Sequence, residues 1–364
     1  MLFPFLKGAC QIDDQSNGQY REVYINKSWT RLDKNKDGQV SEEDNKRLWK
    51  HLNRFDSNQD NQVSFDEYVC KAQVPYLNTG GKRKLNVLYK VTEEEDLYLD
   101  IYYPKTTKKG EKLPVVIYTH GGGWAAGSRH GAANADFKKV HSELLENGFC
   151  VVTISYRLWK EGGEVSMRDC VIDNKDALRY LSKHNETLGV DTNRFFSFGD
   201  SAGGHLAQML LLSAPECLKG DTALADYTYI MKAGVSWYGP CDFEKTSLFN
   251  HDDRADFKDR FGARIIKPTT KSEDKLSLYR EMSPINYLTQ NSPPLLLIQG
   301  DKDPTIPVKH AYFMAEKAEE VGAPVTTLII KNSGHNWRNI GGDNEPTREE
   351  IIQKTVDYLV DHLK

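Results

Sequence analysis

From residue 86 onward, short runs rich in β-branched and aromatic residues alternate with stretches of helix length, and this alternation restricts the fold more than any other feature. The pattern predicts strands at 86–91, 97–103, 114–119, 149–155, 195–198, 233–238, 294–299 and 325–330. It predicts helices at 135–146, 168–184, 202–212, 308–320 and 348–362. Several of the strand runs are apolar on both faces, which a sheet tolerates only when helices cover both of its sides. The expected class is therefore α/β, with a mostly parallel central sheet. Residues 242–287 interrupt the rhythm and are rich in charge, so they read as an inserted cap over the carboxyl ends of the strands. At roughly 100–200 residues per domain, a chain of 364 residues has room for more than one. The polar, glycine-bearing run at 78–85 reads as a linker, with one domain at 1–77 and a second at 86–364.

The first domain is built on a repeat. Trp29–Ser41 reappears as Leu52–Ser64, at a spacing of 23 residues. Oxygen-bearing side chains fall at positions 1, 3, 5 and 9 of two loops: Asp33, Asn35, Asp37 and Ser41, then Asp56, Asn58, Asp60 and Ser64. Asp44 and Glu67 stand at position 12, and the carbonyls of Gln39 and Gln62 at position 7. Calcium takes six to eight hard oxygen ligands, and a twelve-residue loop supplies them at this spacing. Two loops in matching register set this apart from a pair of Asx-rich surface turns. Over residues 29–68 the segment resembles an EF-hand pair, which implies a small helical domain holding structural calcium. Three departures bear on that reading. Asp44 is a carbon shorter than the usual Glu, Asn61 replaces the glycine of position 6, and one helix at 42–55 must serve both loops. The repeat length also resembles that of dockerins, a weaker match because a helix precedes the first loop.

Composition excludes broad classes. The 48 basic and 52 acidic residues give a net charge of −4, which excludes a generally basic nucleic-acid binder. The apolar runs at 114–118 and 294–298 are too short to cross a bilayer. The six cysteines show no metal-ligand spacing. Cys150 reads as a small buried hydrophobe, whereas Cys10 and Cys70 could pair if the chain is exported. Met1–Leu6 lacks the basic and long apolar regions of a signal peptide. A secreted or periplasmic setting is favoured over a cytosolic one, with any leader absent from this chain.

The chemistry gathers at predicted strand ends. Gly199-Asp200-Ser201-Ala202-Gly203 follows one strand and opens a helix, so Ser201 stands on a tight turn that lifts it from the sheet. His120-Gly121-Gly122-Gly123-Trp124 follows another strand, and consecutive glycines let backbone N–H groups swing toward a developing negative charge. A serine nucleophile needs a base, and the base needs a group that holds its tautomer. Gly300-Asp301-Lys302-Asp303 and Ser333-Gly334-His335 close the two last strands. Asp303 is preferred over Asp301 because Pro304 and Pro307 stiffen the turn that presents it. Asp200 is expected to point away from the cleft as a structural partner.

These motifs, with Asp191-Thr192-Asn193-Arg194 before the elbow and Gly204-His205 after it, resemble the α/β-hydrolase superfamily over residues 86–364, and within it the hormone-sensitive-lipase-like carboxylesterases. The resemblance implies Ser201 as nucleophile, His335 as general base and Asp303 as orienting acid. It implies an oxyanion hole from the N–H groups of Gly122, Gly123 and Ala202, an acyl-enzyme intermediate and no organic cofactor. Short acyl groups are expected. Trp124, Trp237, Tyr238 and Trp337 fall near strand ends, where they either stack on an acetylated or feruloylated saccharide or pack the core. Competing readings are a prolyl-oligopeptidase-type peptidase, a calcium-regulated lipase, and a non-catalytic binding or scaffold protein with a dockerin-like front. The oligomeric state is left open.

Overall fold

The computed structural model describes residues 25, 28–71, 76–77, 80–250 and 259–363, without the side chains of 69–71. Cys10, the side chain of Cys70, residues 1–6, the first two residues of the expected linker and residues 251–258 of the expected cap lie outside them. The chain divides into two compact units, Met1–Pro75 and Tyr76–Lys364.

In the first unit the two loops meet through a short antiparallel pair, β1 (Gln39–Val40) and β2 (Val63–Ser64), with Val40 opposite Val63. Both valines are buried among Ile25, Leu52, Phe55 and Tyr68, and the Trp29 and Phe65 rings cross edge to face at 5.4 Å. The helix expected at 42–55 is shorter. It runs Lys46–Leu52 and tightens into a 3₁₀ turn at Asn53–Phe55. The reason lies in Asp44, whose carboxylate accepts from the N–H and hydroxyl of Ser41 and so holds 42–44 as a turn. A second helix, Phe65–Lys71, leaves loop two.

The second unit is one eight-stranded sheet. Its strands are β3 (Arg83–Val91), β4 (Asp96–Tyr102), β5 (Leu113–Thr119), β6 (Cys150–Ile154), β7 (Val190–Asp200), β8 (Met231–Trp237), β9 (Leu295–Gly300) and β10 (Val325–Ile330). They lie in the order β10-β9-β8-β7-β5-β6-β4-β3. Only β3 with β4 and β4 with β6 pair antiparallel; the other neighbours are parallel. A four-residue connection joins β3 to β4, too short for the crossover that a parallel pair needs. One face packs on helices Met167–Lys183, Ala202–Leu212 and Lys309–Val321, the other on Ala135–Glu146 and Arg348–Asp361. Lys90 of β3 reaches Asp173 and Asp176 of the first of these helices at 2.8 and 2.7 Å, with both carboxylates buried.

The sequence pattern locates every strand of this sheet, and the differences are local. β7 is longer than 195–198 at both ends, and β3 starts at Arg83, so the end of the expected linker belongs to the sheet. The described residues of 242–287 contain 3₁₀ turns and two short helices, Gly262–Ile265 and Lys275–Glu281. Each spans two turns or fewer and therefore leaves no helical period in the sequence.

Candidate active site

Ser201 sits between the end of β7 and helix Ala202–Leu212 with φ 53° and ψ −119°, a conformation that only a tightly held turn sustains. Its N–H donates to the Trp237 carbonyl at 2.8 Å, which ties the turn to the neighbouring strand. Thr119 at the end of β5 donates its hydroxyl to the Gly203 carbonyl at 2.7 Å. A Cβ on Gly203 would overlap the Thr119 carbonyl, and one on Gly199 would overlap the Gly203 carbonyl. The two glycines thus let the helix start approach the sheet closely enough to aim Ser201 outward.

His335 lies just beyond β10. Its Nε2 is 3.0 Å from Ser201 Oγ and its Nδ1 is 2.7 Å from Asp303 Oδ2. Asp303 Oδ1 accepts from the N–H groups of Thr305 and Ile306 at 2.7 and 2.9 Å, and Gln299 donates to Oδ2 at 3.1 Å. A carboxylate fixed in this way accepts the hydrogen bond of Nδ1–H and so holds the proton on Nδ1, which leaves the Nε2 lone pair facing the serine hydroxyl. Asp301 does different work: its Oδ1 accepts from the Ser333 N–H at 3.1 Å and pins the start of the histidine loop.

The glycine run after β5 forms the opposite wall. Gly122, Gly123 and Trp124 have φ values of 118°, 61° and 59°. Among the described residues, no acceptor meets the N–H of Gly122 or Gly123. Ala202 opens its helix, where the leading N–H groups have no intrahelical partner. Asp200 is a structural partner, as expected, since its Oδ1 accepts from Gly121 N–H at 2.9 Å and from the Tyr118 hydroxyl at 3.0 Å. The expectation that it points away from the cleft is corrected, because it lines the cavity. Trp124 donates its indole N–H to His205 Nδ1 at 3.2 Å, and Nε2 of His205 then donates to the Met282 carbonyl at 2.8 Å. Burial lowers His205 to about 4, so this bridge stays neutral. The cavity that results is about 350 Å³, with Ser201, His335, Gly122 and Gly123 in its wall beside Arg260, Phe261, Arg264, Thr305 and Ile306.

Of the four aromatic residues considered for substrate stacking, only Trp124 lines this cavity. For the other three the expectation is corrected. Trp237 is fully buried and donates to Thr355 Oγ1 at 2.9 Å. Trp337 is buried against Trp237, and Tyr238 packs behind His335 with ring centroids 4.7 Å apart. Position near a strand end did not reveal which way these side chains turn.

In the first unit, the backbone has the left-handed residues that a tight oxygen-lined loop requires: φ is 61° at Lys36 and 87° at Gly38, then 62° at Gln59 and 66° at Asn61. Asn61 therefore adopts the conformation its glycine counterpart does. The carboxylates are turned toward loop amides. Asp33 Oδ2 accepts from Gly38 N–H, Asp37 from Gln39, Asp56 from Gln59 and Asn61, and Asp60 from Gln62. Glu67 accepts from Ser57, Asn58 and Ser64, and the Ser64 and Ser57 bonds lead in lowering it to about 2. Among the described residues, no three His, Cys, Asp or Glu side chains gather closely enough to hold a metal ion.

Residues 99–318 match the BD-FAE family profile. The chain belongs to the BD-FAE family. Among its curated relatives, esterase LipC of Mycobacterium tuberculosis is 30% identical over 241 residues, which cover 63% of this chain and 54% of that one. The probable carboxylic ester hydrolase LipM of the same organism is 26% identical over 246 residues, covering 67% and 54%. The chain spans about half the length of the curated relatives it matches. Among solved structures, apo Thermogutta terrifontis esterase 2 superposes with a TM-score of 0.61 at 22% identity, covering 80% of this chain and 96% of that one. A truncated carbohydrate esterase from gut microbiota gives 0.62 at 22%, covering 80% and 99%. The fold is that of these α/β-hydrolase esterases. The BD-FAE match ends before His335, and sequence reasoning overlooked Arg260 and Arg264. They sit in the charged stretch read as a cap, where single arginines carry no periodic signal.

Proposed function

We propose that this chain is a serine carboxylesterase acting on short-chain acyl esters, acetyl esters of saccharides among them. The observation that carries the reading is the continuous hydrogen-bonded chain Ser201–His335–Asp303 opening into a cavity walled by the Gly122 and Gly123 amides. In the proposed reaction, Ser201 Oγ attacks the ester carbonyl as its proton passes to His335 Nε2. Asp303 stabilises the imidazolium through Nδ1–H. The carbonyl oxygen, now negative, takes the N–H groups of Gly122, Gly123 and Ala202; donors placed in this way are each worth about 10²–10³ in rate. His335 returns its proton to the departing alkoxide, and water activated by the same imidazole releases the acid from the acyl-enzyme. A small cavity supports short acyl groups, as do the butyrate- and propionate-bound structures of the Thermogutta esterase. The carbohydrate esterase neighbour supports the saccharide reading. Replacing Ser201 with Ala is expected to lower kcat on 4-nitrophenyl acetate by roughly 10⁴-fold or more with the fold intact. Turnover within tenfold of wild type would refute the assignment.

The loop pair supports a second reading, structural calcium in the first unit. Asp33 Oδ1 is buried without a hydrogen-bond partner among the described residues, as a position-1 ligand left for a cation would be. Oxygen donors recur at matching positions, and both loops carry left-handed residues at positions 4 and 6. The residues that would hold the ions are Asp33, Asn35, Asp37, Gln39 and Asp44 in one loop and Asp56, Asn58, Asp60, Gln62 and Glu67 in the other, each Gln through its carbonyl.

A further inference from the structure

Two guanidinium groups face the cavity that holds Ser201. Arg264 lies on the short helix Gly262–Ile265, and a Cβ placed on Gly123 would stand 3.1 Å from its Nη1, so the cation rests against the glycine loop. The Trp159 and Phe261 rings flank it at 5.5 and 5.2 Å. Arg260 donates to the Thr305 carbonyl at 3.0 Å, on the turn that carries Asp303. Arg264 has no acidic partner and no hydrogen-bond acceptor among the described residues, although it is half-buried. Burial, with Arg260 nearby, holds it below the usual guanidinium range. Among the described residues, the one carboxylate in the cavity wall is Asp200, whose Oδ1 is engaged by Gly121 and Tyr118. A partly desolvated cation without an anion is costly, and a rigid guanidinium fork matches a carboxylate in two parallel bonds.

We infer that the ester bound here carries a carboxylate close to its scissile group, received by Arg264 with Arg260 reinforcing the positive field. The inference rests on the esterase reading and narrows it. The carboxylate has two possible sources, the acyl part, as in a half-ester of a dicarboxylic acid, or the alcohol part, as in an acylated acidic sugar.

Two matched pairs separate them. 4-Nitrophenyl hemiglutarate against 4-nitrophenyl valerate places the charge on the acyl side, and 3-acetoxybenzoate against phenyl acetate places it on the alcohol side. Rates are corrected with Ser201→Ala as the blank. The expected result is a kcat/KM at least tenfold higher for the anionic member of one pair, shrinking as salt rises from 20 to 500 mM. Arg264→Met should abolish that ratio and Arg264→Lys should restore part of it. Because a ratio does not depend on how much enzyme is folded, partial misfolding of a variant leaves the test intact, and the wild-type salt series needs no variant. Neutral esters preferred or matched in both pairs would overturn the inference while leaving the esterase reading standing. No Ser201-dependent turnover of any of the four esters would overturn the reading beneath it.

Discussion

Asp200 joins the two turns that make the cavity, since one oxygen of its carboxylate receives both the Gly121 N–H and the Tyr118 hydroxyl. Burial raises its pKa from 3.8 to about 6, against partial relief from the Gly121 and Tyr118 hydrogen bonds. The sign of the consequence follows from linkage. Between about pH 4 and 6 the folded state keeps a proton that the unfolded chain has already lost, so this group's contribution to stability falls as pH rises through that window. Asp200→Asn retains an acceptor oxygen and removes the charge. Its stability relative to wild type should improve from pH 4 to pH 7 by on the order of 1–3 kcal/mol, read from urea unfolding at pH 4, 5.5 and 7. A difference that does not change with pH would refute the assignment of this titration to Asp200. Asp200→Ala instead strands a buried hydroxyl and a loop amide, costing about 2–4 kcal/mol and loosening the glycine run, so kcat should fall as well.

At the scale of elements, the decisive contact is the start of helix Ala202–Leu212 on the end of β5. Gly203 meets the Thr119 carbonyl with no room for a methyl group. Gly203→Ala must therefore push the helix start away from the sheet and carry Ser201 from His335. A fall in kcat/KM of more than 100-fold on 4-nitrophenyl acetate is expected, with a lower Tm by circular dichroism; a variant retaining near-normal turnover would mean that the helix can slide without moving the serine. This junction was legible because the elbow demands glycine at fixed offsets and sits between two strong periodic signals. The strands were legible for a related reason: buried runs such as Val115–Ile117 and Val151–Val152 stand out against charged connections. The short helices of 242–287 were not, since two turns or fewer show no period. Whether Trp237 faces the site or the core was not legible, because a strand's final residue points to either face, and only the helix Arg348–Asp361 packed on that face, with Thr355 as partner, decides which. The order of Asp301 and Asp303 was open to argument from proline stiffening, while their division of labour, one holding Ser333 and the other His335, is a fact of the loop's path.

For the whole molecule, the proposed chemistry and the proposed metal belong to different compact units. Ser201, Asp303, His335 and the cavity wall all lie in Tyr76–Lys364, whereas the paired loops lie in Met1–Pro75. Among the described residues the loop unit has a small core, six buried apolar residues with four partly buried neighbours, and small cores of this kind draw much of their stability from bound ions. A ligand present at a hundred times its Kd adds about 2.7 kcal/mol to the state that binds it. Calcium should therefore raise the melting transition of the loop unit and chelation should lower it. Glu67→Gln is expected to weaken binding more than Asp44→Asn, because Glu67 has the reach for bidentate closure that Asp44 lacks. Sensor pairs open onto a methionine-rich groove, but no methionine lies between Met1 and Met167, so turnover at saturating ester should change less than twofold on chelation. Calorimetry with and without EGTA, run beside the ester assay, separates the two cases: a stable loop unit with activity that requires micromolar calcium would make the metal a switch and not a strut.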